Sequence, residues 1–359
     1  MIHIIIGTKA QLIKMAPIMI RLRDRKIPYN FINTGQHKAT MDDMLDDFGL
    51  KKPDLTLYEG PDITSITKMF FWSIRLIQKT IINKKIIFHN DENGIALVHG
   101  DTFSTLIGAI MGRIAGLKIG HVESGLRSFN IFHPFPEEIT RILTFRLSNI
   151  LFCPGQWAIN NISFYNKKDK INTKANTMFD IIDISLKKER RQDHVPNIPY
   201  GIVSLHRYEN IFIKNKFIKI IKILKMVSRQ YHLLFILHPP TEKKLHQFNF
   251  YEELNSNLNI ELRKRYKHSD FLSLLEKAEF IITDGGSLQE ESMYIGIPCL
   301  LLRKTTERKE GLGENVLLSK FDESLIKNFL HNYIKYRKKP LKMNYSPSNI
   351  IIESIAGYA

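Results

Sequence analysis

The sequence predicts an α/β protein with parallel sheets, because three observations agree. Short, almost wholly apolar segments alternate with longer segments in which apolar residues recur every three or four positions. Polar or glycine-containing turns follow the apolar segments, as after residues 2–6, 95–98 and 280–283. The same alternation continues in the second half of the chain. Buried strands joined by helices form right-handed β-α units, so each sheet is expected to be parallel and doubly wound.

Length and a break in the pattern predict two domains. The chain has 359 residues, 43% of them hydrophobic, which is long for a single core. A polar, basic segment at residues 187–191 precedes a fresh strand at 200–204, so the crossover is expected near residues 175–195. We therefore expect two parallel sheets that face one central cleft.

Continuous apolar runs are assigned to strands, since a strand of a parallel sheet is buried on both faces. The predicted strands are 2–6, 29–32, 54–57, 95–98, 117–122 and 150–153, then 200–204, 232–237, 258–262, 280–283 and 298–302. The predicted helices are 11–25, 42–48, 63–80, one starting at 157, 214–231, 270–277, 288–294 and 347–357, with a further helix between the strands at 95–98 and 117–122.

The net charge of +16 raises the possibility of a nucleic-acid partner. Lysine and arginine are spread over helical segments without a long basic run, which favours a solvated lysine-rich surface, so no nucleic acid is expected. Cys153 and Cys299 lie in apolar contexts and are expected to be buried free thiols. The first residues lack the zones of a signal peptide, and charged residues interrupt the apolar region 69–88. A cytoplasmic protein without a membrane partner is expected.

Residues 97–141 are the candidate for chemistry. Asp101 and Glu123 follow two predicted strands, and loops at the carboxyl ends of parallel strands line the ligand crevice. Glu137 and Glu138 come at the start of the next helix. Converging carboxylates repel one another and raise at least one pKa, which suits proton transfer at a weakly acidic carbon. The nearby histidines lack the spacing of metal ligands, so no metal is expected; they are His99, His121 and His133.

The segment DGGSLQEE at residues 284–291 is the best phosphate site in the sequence. Small residues between a strand and a helix let the backbone approach a diphosphate and direct N–H groups at it. A glutamate one turn into the helix suits the hydroxyls of a ribose, and two arginines follow on the next loop. The alternative is an ordinary glycine turn that caps a helix. The residues assigned here are Gly285, Gly286, Ser287, Glu291, Arg303 and Arg308.

Two further strand ends carry polar residues. The turn Gly7-Thr8-Lys9 offers backbone N–H groups to an anion, but it lacks the second glycine of a dinucleotide fingerprint. Lys14 either adds positive charge there or is an ordinary solvated lysine. His206 and Arg207 end the strand at 200–204, a position that favours function over a structural role.

With these residues in place, the chain resembles the non-hydrolysing UDP-N-acetylglucosamine 2-epimerases over nearly its whole length. The family patterns and the residues that correspond to them here are GTRPExIKMAP at 7–17, TGQH at 34–37, VHGDT at 98–102, HVEAGLRS at 121–128 with Ser124 for the alanine, PEExxR at 136–141, His-Arg at 206–207 and TTER at 305–308.

The resemblance implies a glycosyltransferase B type fold of two Rossmann-like domains, with boundaries at 1–180 and 181–345 and a helix at 346–359 returning to the first domain. It implies a UDP-sugar substrate, no cofactor, a homodimer, and a role in surface polysaccharide synthesis. On this basis Asp101, Glu123, Glu137 and His206 are the acid, base and electrostatic residues. The resemblance also implies that Lys9, Lys14, Arg141 and Arg207 bind the substrate, together with the residues assigned above to the phosphate site between 284 and 308.

Three departures from the family pattern stand out. The arginine-proline-glutamate after Gly-Thr is here Lys9-Ala10-Gln11, so a point charge replaces a bidentate guanidinium. The DSGG segment is permuted to DGGS, and Ala39 stands where bacterial members place a glutamine of an allosteric site, which argues against that regulation.

The alternatives to a non-hydrolysing epimerase are a hydrolysing epimerase that releases UDP and N-acetylmannosamine, a glycosyltransferase on the same fold, or an inert nucleotide-sugar binder.

Overall fold

The computed structural model describes residues 1–36, 41–63, 65–131, 135–188 and 192–358. The chain divides into two compact units. Unit 1 consists of Met1–Ile184 together with Met343–Ala359, and unit 2 consists of Ser185–Lys342. Each unit is built around one parallel sheet, which confirms the predicted fold class of two parallel α/β domains.

Unit 1 contains a seven-stranded parallel sheet in the order β3-β2-β1-β4-β5-β6-β7. Its strands are β1 (Ile2–Ile6), β2 (Tyr29–Asn33), β3 (Leu55–Thr56), β4 (Ile95–His99), β5 (Lys118–Val122), β6 (Ile150–Cys153) and β7 (Asp169–Asn172). Its first seven helices are α1 (Lys9–Asp24), α2 (Met41–Phe48), α3 (Ile66–Ile87), α4 (Phe103–Ile114), α5 (Glu137–Leu147), α6 (Gln156–Asn161) and α7 (Met178–Leu186). The order changes direction between β1 and β4, so the loops after these strands and β5 form the switch point where α/β proteins bind ligands.

Unit 2 contains a six-stranded parallel sheet in the order β10-β9-β8-β11-β12-β13. Its strands are β8 (Tyr200–Ser204), β9 (His232–Ile236), β10 (Ile260–Arg263), β11 (Phe280–Thr283), β12 (Cys299–Leu301) and β13 (Val316–Leu318). Its helices are α8 (Tyr208–Ile211), α9 (Lys214–Val227), α10 (Pro239–Gln247), α11 (Tyr251–Asn255), α12 (His268–Lys277), α13 (Gly286–Ile295) and α14 (Glu323–Tyr336). Here the switch point lies between β8 and β11.

The last helix, α15 (Pro347–Ile355), returns to unit 1 and packs against α1. Its apolar face is buried through Ile351, Ile352 and Ile355. The buried Asp180 of α7 accepts hydrogen bonds from the backbone N–H of Ser348, at 2.7 Å, and from its hydroxyl. Unit 1 is therefore completed by residues from both ends of the chain.

Several predicted elements have the observed bounds, because buried strands leave an uninterrupted apolar signature. The strands 2–6, 150–153, 200–204 and 280–283 are of this kind. Helix boundaries were predicted less well, since caps decide them. The side chain of Thr8 accepts a hydrogen bond from the N–H of Gln11, so α1 begins at Lys9 rather than at residue 11. Ser65 caps α3 in the same way, so that helix begins at Ile66 instead of residue 63.

The elements named above that were not predicted are the strands β7 and β13 and the helices α7, α8, α10, α11 and α14. The strands β7 and β13 each pair with a single neighbour at an edge of a sheet, so they need less apolar character. Helix α14 buries only a narrow face, through Ile326, Phe329 and Leu330. Among the described residues, no helix combines the length and apolar composition that crossing a membrane requires.

Candidate functional site

The loops after β4 and β5 carry the acidic residues of unit 1. Asp101 lies two residues beyond β4, and Glu123 directly follows β5, which pairs with β4 in parallel. The backbone of Glu123 has φ of +64°, in the left-handed region that favours glycine. A non-glycine residue held there costs on the order of 1 kcal/mol or more, and such residues cluster at functional sites. The turn thus directs a buried carboxylate toward the strand ends.

Glu123 belongs to a buried cluster with Lys14 and His99. The ammonium of Lys14 donates to Glu123 Oε2 at 2.7 Å, and His99 Nε2 lies 3.0 Å from the same oxygen. Only about 3% of Lys14 is exposed. The interpretation of Lys14 as an ordinary solvated lysine is therefore wrong. A buried lysine and a buried carboxylate stabilise one another as charges.

Asp101 belongs to a second cluster, centred on Arg141 of α5. The guanidinium of Arg141 donates to Asp101 Oδ2 at 2.5 Å and to Glu138 Oε2 at 3.2 Å. Glu138 also accepts from Arg127 Nε and from the N–H of Ser128. Although burial alone raises the pKa of Glu138, these hydrogen bonds hold it below its ordinary value. Repulsion between carboxylates therefore does not set the pKa of Glu138, since each of the hydrogen-bond partners named here is a cation or an N–H donor.

The other predicted residues of unit 1 have more varied surroundings. Glu137 is the first residue of α5 and is half-buried, at the positive end of the helix dipole. Lys9 is the first residue of α1 and is also half-buried. His121 is buried, and loss of hydration lowers its pKa to about 4. The ring is therefore neutral at pH 7. Its Nε2 lies 2.7 Å from the carbonyl of Gly100 and donates to it.

The predicted anion site at Gly7-Thr8-Lys9 needs a correction. The N–H groups of Gly7 and Thr8 both donate to Gln11 Oε1, at 2.9 and 3.1 Å. The amide nitrogen of Gln11 donates in turn to the carbonyl of His99 and the hydroxyl of Thr105. These two N–H groups are thus used inside the fold, and the turn ties α1 to β4 instead of presenting them to an anion.

Asp284 organises the predicted phosphate site of unit 2. This fully buried residue accepts hydrogen bonds from the N–H groups of His206 and Arg207, at 3.0 and 3.2 Å, and from the amide of Asn210 at 3.0 Å. Its carbonyl accepts from Arg207 Nε at 2.9 Å. The loop after β11 therefore holds the loop after β8 in place.

Close packing explains the two glycines that follow. A Cβ on Gly285 would lie 2.8 Å from Cε1 of His206, and a Cβ on Gly286 would lie 2.9 Å from Nε of Arg308. Only glycine lets both side chains approach the start of α13, where Gly286 is the first helical residue. Ser287 is exposed there, and Glu291 is buried one turn further along.

The arginines after β12 are held by acidic partners. Arg303, about 4% exposed, donates to Glu307 at 3.0 Å, and Arg207 donates to the same carboxylate at 3.4 Å. Burial raises the pKa of Glu307, but the two guanidinium groups outweigh it and lower that pKa to about 2. Arg308 donates to Glu290 at 3.0 Å. These ion pairs fix the TTER segment against α13.

His206 lies on the ring of His238. The two rings are stacked with centroids 4.4 Å apart, and His206 Nδ1 is 3.7 Å from Asp284 Oδ1. Loss of hydration is the largest effect on His206 and lowers its pKa, against the opposing charge of Asp284. Its side chain is 43% exposed, so the ring is still open to a ligand.

Sequence reasoning assigned no role to several residues that build these clusters. They are Gln11, His99, Arg127, Asn210, His238 and Glu307. Their signal is a polar residue at or just beyond the end of an apolar strand, or one inside a quoted motif. Of the residues considered earlier, His37, Ala39 and His133 lie outside the described residues.

The two parallel α/β units have the fold of the glycosyltransferase B type. Each unit carries ionisable side chains at the carboxyl ends of its strands. A model of the UDP-N-acetylglucosamine 2-epimerase family matches residues 21–348. The UDP-N-acetylglucosamine 2-epimerase of Methanococcus maripaludis is 34% identical over 350 residues, which cover 93% of this chain and 92% of that protein. The chain belongs to the UDP-N-acetylglucosamine 2-epimerase family.

Solved structures agree over the full length. The UDP-GlcNAc 2-epimerase of Methanocaldococcus jannaschii, in complex with UDP-GlcNAc and UDP, matches with a TM-score of 0.84 and 30% identity, covering 100% of this chain and 99% of that one. The enzyme of Neisseria meningitidis bound to UDP-GlcNAc matches with a TM-score of 0.85 and 26% identity, covering 99% of each chain.

Proposed function

We propose that this enzyme interconverts UDP-GlcNAc, or a modified UDP-2-acetamido sugar, and its manno epimer without a cofactor and without hydrolysis. The observation that carries the proposal is the pair Asp101 and Glu123 at the ends of adjacent strands, each held by a cation. The similarity to enzymes solved with UDP-GlcNAc supports this substrate.

The reaction proceeds through elimination and re-addition. A base removes the proton from C2, the C2–H electron pair forms the C1=C2 bond, and UDP leaves C1 with the electrons of the C1–O bond. The resulting glycal then takes a proton on the opposite face of C2, and UDP adds back to C1. A positioned acid or base contributes about 10²- to 10⁴-fold to such proton transfers.

The carboxylates of unit 1 suit the proton transfers. Arg141 and Lys14 place a positive charge directly beside the carboxylates of Asp101 and Glu123. Glu137 adds a third carboxylate at the start of α5. We assign the roles of acid and base to these three residues and to His206 of unit 2.

The loops of unit 2 suit a departing diphosphate. The start of α13, with Gly285, Gly286 and Ser287, combines N–H groups with the positive end of the helix dipole. Arg207 and Arg308 add positive charge beside it. We assign UDP binding to these groups and to Glu291, while Arg303 acts through Glu307.

Proton NMR in deuterated water tests the proposed reaction. Purified protein is incubated with UDP-GlcNAc, and exchange at C2 is followed together with any release of UDP. We expect deuterium at C2 and an equilibrium mixture of UDP-GlcNAc and UDP-ManNAc. Release of UDP with free N-acetylmannosamine would instead establish the hydrolysing reaction. Absence of C2 exchange with UDP-GlcNAc and its modified forms would favour a transferase or an inert binder.

We further propose a homodimer formed through α3. The outer face of this helix exposes large apolar side chains; these are Phe70, Phe71, Ile74, Ile81, Ile82 and Ile86, each between 38% and 79% exposed. Such a stripe of exposed large apolar side chains is typical of an interface rather than of a solvated surface. A two-fold axis would place two copies of the stripe against each other.

Light scattering on the purified protein tests this assembly. We expect twice the 41.9 kDa mass of one chain, and a shift to the single-chain mass in Ile82→Glu. Ile334→Glu is the matched control, because Ile334 is 72% exposed on α14 and Ile82 is 79% exposed on α3. A single-chain mass for the unsubstituted protein, or a dimer that survives Ile82→Glu unchanged, would contradict the proposed interface.

A further inference from the structure

The strand starts of unit 2 carry a basic and apolar surface that the proposed reaction does not use. In a parallel sheet the amino ends of all strands lie along one edge, and the candidate residues of unit 2 follow the carboxyl ends at the other edge. The segment 335–342, KYRKKPLK, covers the end of α14 and the chain after it, with five cationic residues and no acidic one. Such a concentration of like charge calls for an explanation, because it disfavours the compact state through repulsion.

Hydrogen bonds place this segment on the amino edge of the sheet. The guanidinium of Arg337 donates to the carbonyl of Glu279 at 2.9 Å, and Glu279 directly precedes β11. The N–H of Lys338 donates to the carbonyl of Gly296 at 2.8 Å, shortly before β12. The segment is therefore held at the starts of two neighbouring strands.

The lysines of the segment are exposed. Within the described part of the chain, none of their four ammonium groups has a hydrogen-bond or ion-pair partner; they are Lys335, Lys338, Lys339 and Lys342. Lys225 of α9, by contrast, is paired with Glu253. The charge of the segment is therefore available to a negatively charged partner.

Large apolar side chains are exposed along the same edge. Leu258 is 95% exposed two residues before β10, and Ile198 is 52% exposed two residues before β8. Ile334, in the last turn of α14, is 72% exposed. Strands lie about 4.8 Å apart, so the edge from β10 to β12 is about 19 Å wide. Residues 335–342 together with these three side chains form what we call the amino-edge surface.

We propose that the amino-edge surface binds a lipid bilayer that contains anionic phospholipid. Lysine is a compact point charge on a flexible stem, which suits a diffuse layer of lipid phosphates better than a single bidentate partner. A cluster of about four to eight basic residues is typical of proteins that bind anionic lipid, and each contributes about fivefold to the partition coefficient. Leu258, Ile198 and Ile334 enter the region between the head groups and the acyl chains.

Two other classes of partner fit this surface less well. Single-stranded nucleic acids stack their bases on aromatic rings, whereas the exposed large side chains here are aliphatic. Lysine is depleted from protein–protein interfaces, yet four of the five cations are lysines. Docking on a bilayer needs no spanning helix, so the expectation of no membrane partner, which rested on spanning and signal segments, does not bear on it. The inference is independent of the proposed reaction.

Vesicle sedimentation tests the assignment with the full chain. Vesicles of phosphatidylcholine with about one third phosphatidylglycerol are compared with vesicles of phosphatidylcholine alone. We expect the protein to sediment with the first and to remain in solution with the second. Raising the salt from about 0.1 M to about 1 M shortens the screening length from about 10 Å to about 3 Å, so most of the bound protein is expected to be released.

A double charge reversal locates the contact. In Lys338→Glu with Lys339→Glu we expect the partition coefficient to fall at least about 25-fold, since two basic contributions are lost. Lys219→Glu with Lys243→Glu is the matched control, because it changes the net charge equally at two exposed lysines of α9 and α10. These lie at or before the middle of helices that start from the carboxyl edge, so we expect a change within about threefold.

Tryptophan fluorescence tests the apolar contact. Leu258→Trp places an indole on the amino edge. Its emission is expected to shift to shorter wavelength when the anionic vesicles are added, because tryptophan moves from water into the membrane interface. Ile213→Trp is the control, since Ile213 is 45% exposed just before α9, on the carboxyl side of the sheet. We expect no shift for that variant.

Several outcomes would contradict the assignment. Equal losses in the two double variants, equal binding to both kinds of vesicle, or absence of sedimentation would overturn it. Retention on duplex DNA without binding to vesicles would assign the surface to nucleic acid instead. If the variant at Lys338 and Lys339 does not fold by circular dichroism, Lys335→Glu with Lys342→Glu makes the same test.

Discussion

Asp101→Asn is expected to lower kcat for C2 exchange in UDP-GlcNAc by about 10³-fold, within the range for a positioned acid or base. The asparagine keeps the shape of the side chain but cannot accept a proton. It also weakens the contact with Arg141, which still donates to Glu138. The measurement is the rate of deuterium incorporation at C2 at saturating substrate.

Asp54→Asn is the matched control for this experiment. Asp54 is an ion-paired aspartate of unit 1 that accepts from Lys51, and its side chain is 36% exposed, against 32% for Asp101. We expect Asp54→Asn to keep its rate within about threefold. Full activity in Asp101→Asn, with the fold intact by circular dichroism, would remove Asp101 from the catalytic residues.

Asp284→Asn is expected to destabilise unit 2 by about 2 to 4 kcal/mol and to abolish turnover. One carboxylate oxygen becomes an NH₂ group that faces a donor, either the N–H of His206 or the pair of donors on Arg207 and Asn210. Losing a buried hydrogen bond to a charged group costs about 1.5 to 3 kcal/mol, and the unsatisfied donor adds to this. Urea unfolding measures the loss of stability.

Asp322→Asn provides the comparison for that loss. Asp322 also accepts two backbone N–H groups, from Ser324 and Leu325, but it lies exposed at the start of α14. Asparagine and aspartate cap helices about equally well, so we expect a change below about 0.5 kcal/mol. Similar effects of the two substitutions would mean that Asp284 does not organise the loops of unit 2.

The two sheets were predictable because burial leaves a simple signature. The strand Ile2–Ile6 is buried along its whole length and reads as an apolar run closed by Gly7. The edge strand Asp169–Asn172 was missed because three of its four residues are polar or charged, and an edge position tolerates them. Helix starts were misplaced where a single cap, such as Thr8, decided the boundary.

The residues of the candidate site were easier to predict than the hydrogen bonds and ion pairs between them. The position after a buried strand was enough to single out Asp101, Glu123 and His206. It could not show that Gln11 occupies the N–H groups of Gly7 and Thr8, because that contact depends on the rotamer of one side chain. Nor could spacing reveal that Glu307 is shared by Arg207 and Arg303, which lie far apart along the chain.

The return of α15 to unit 1 has a consequence for how the protein is made. The hydrogen bonds between Asp180 and Ser348 join residues separated by 168 positions, and the whole of unit 2 lies between them. During synthesis the ribosome completes unit 2 before it releases the segment that finishes unit 1. The unit that holds Asp101 and Glu123 therefore reaches its final form last, although most of it is made first.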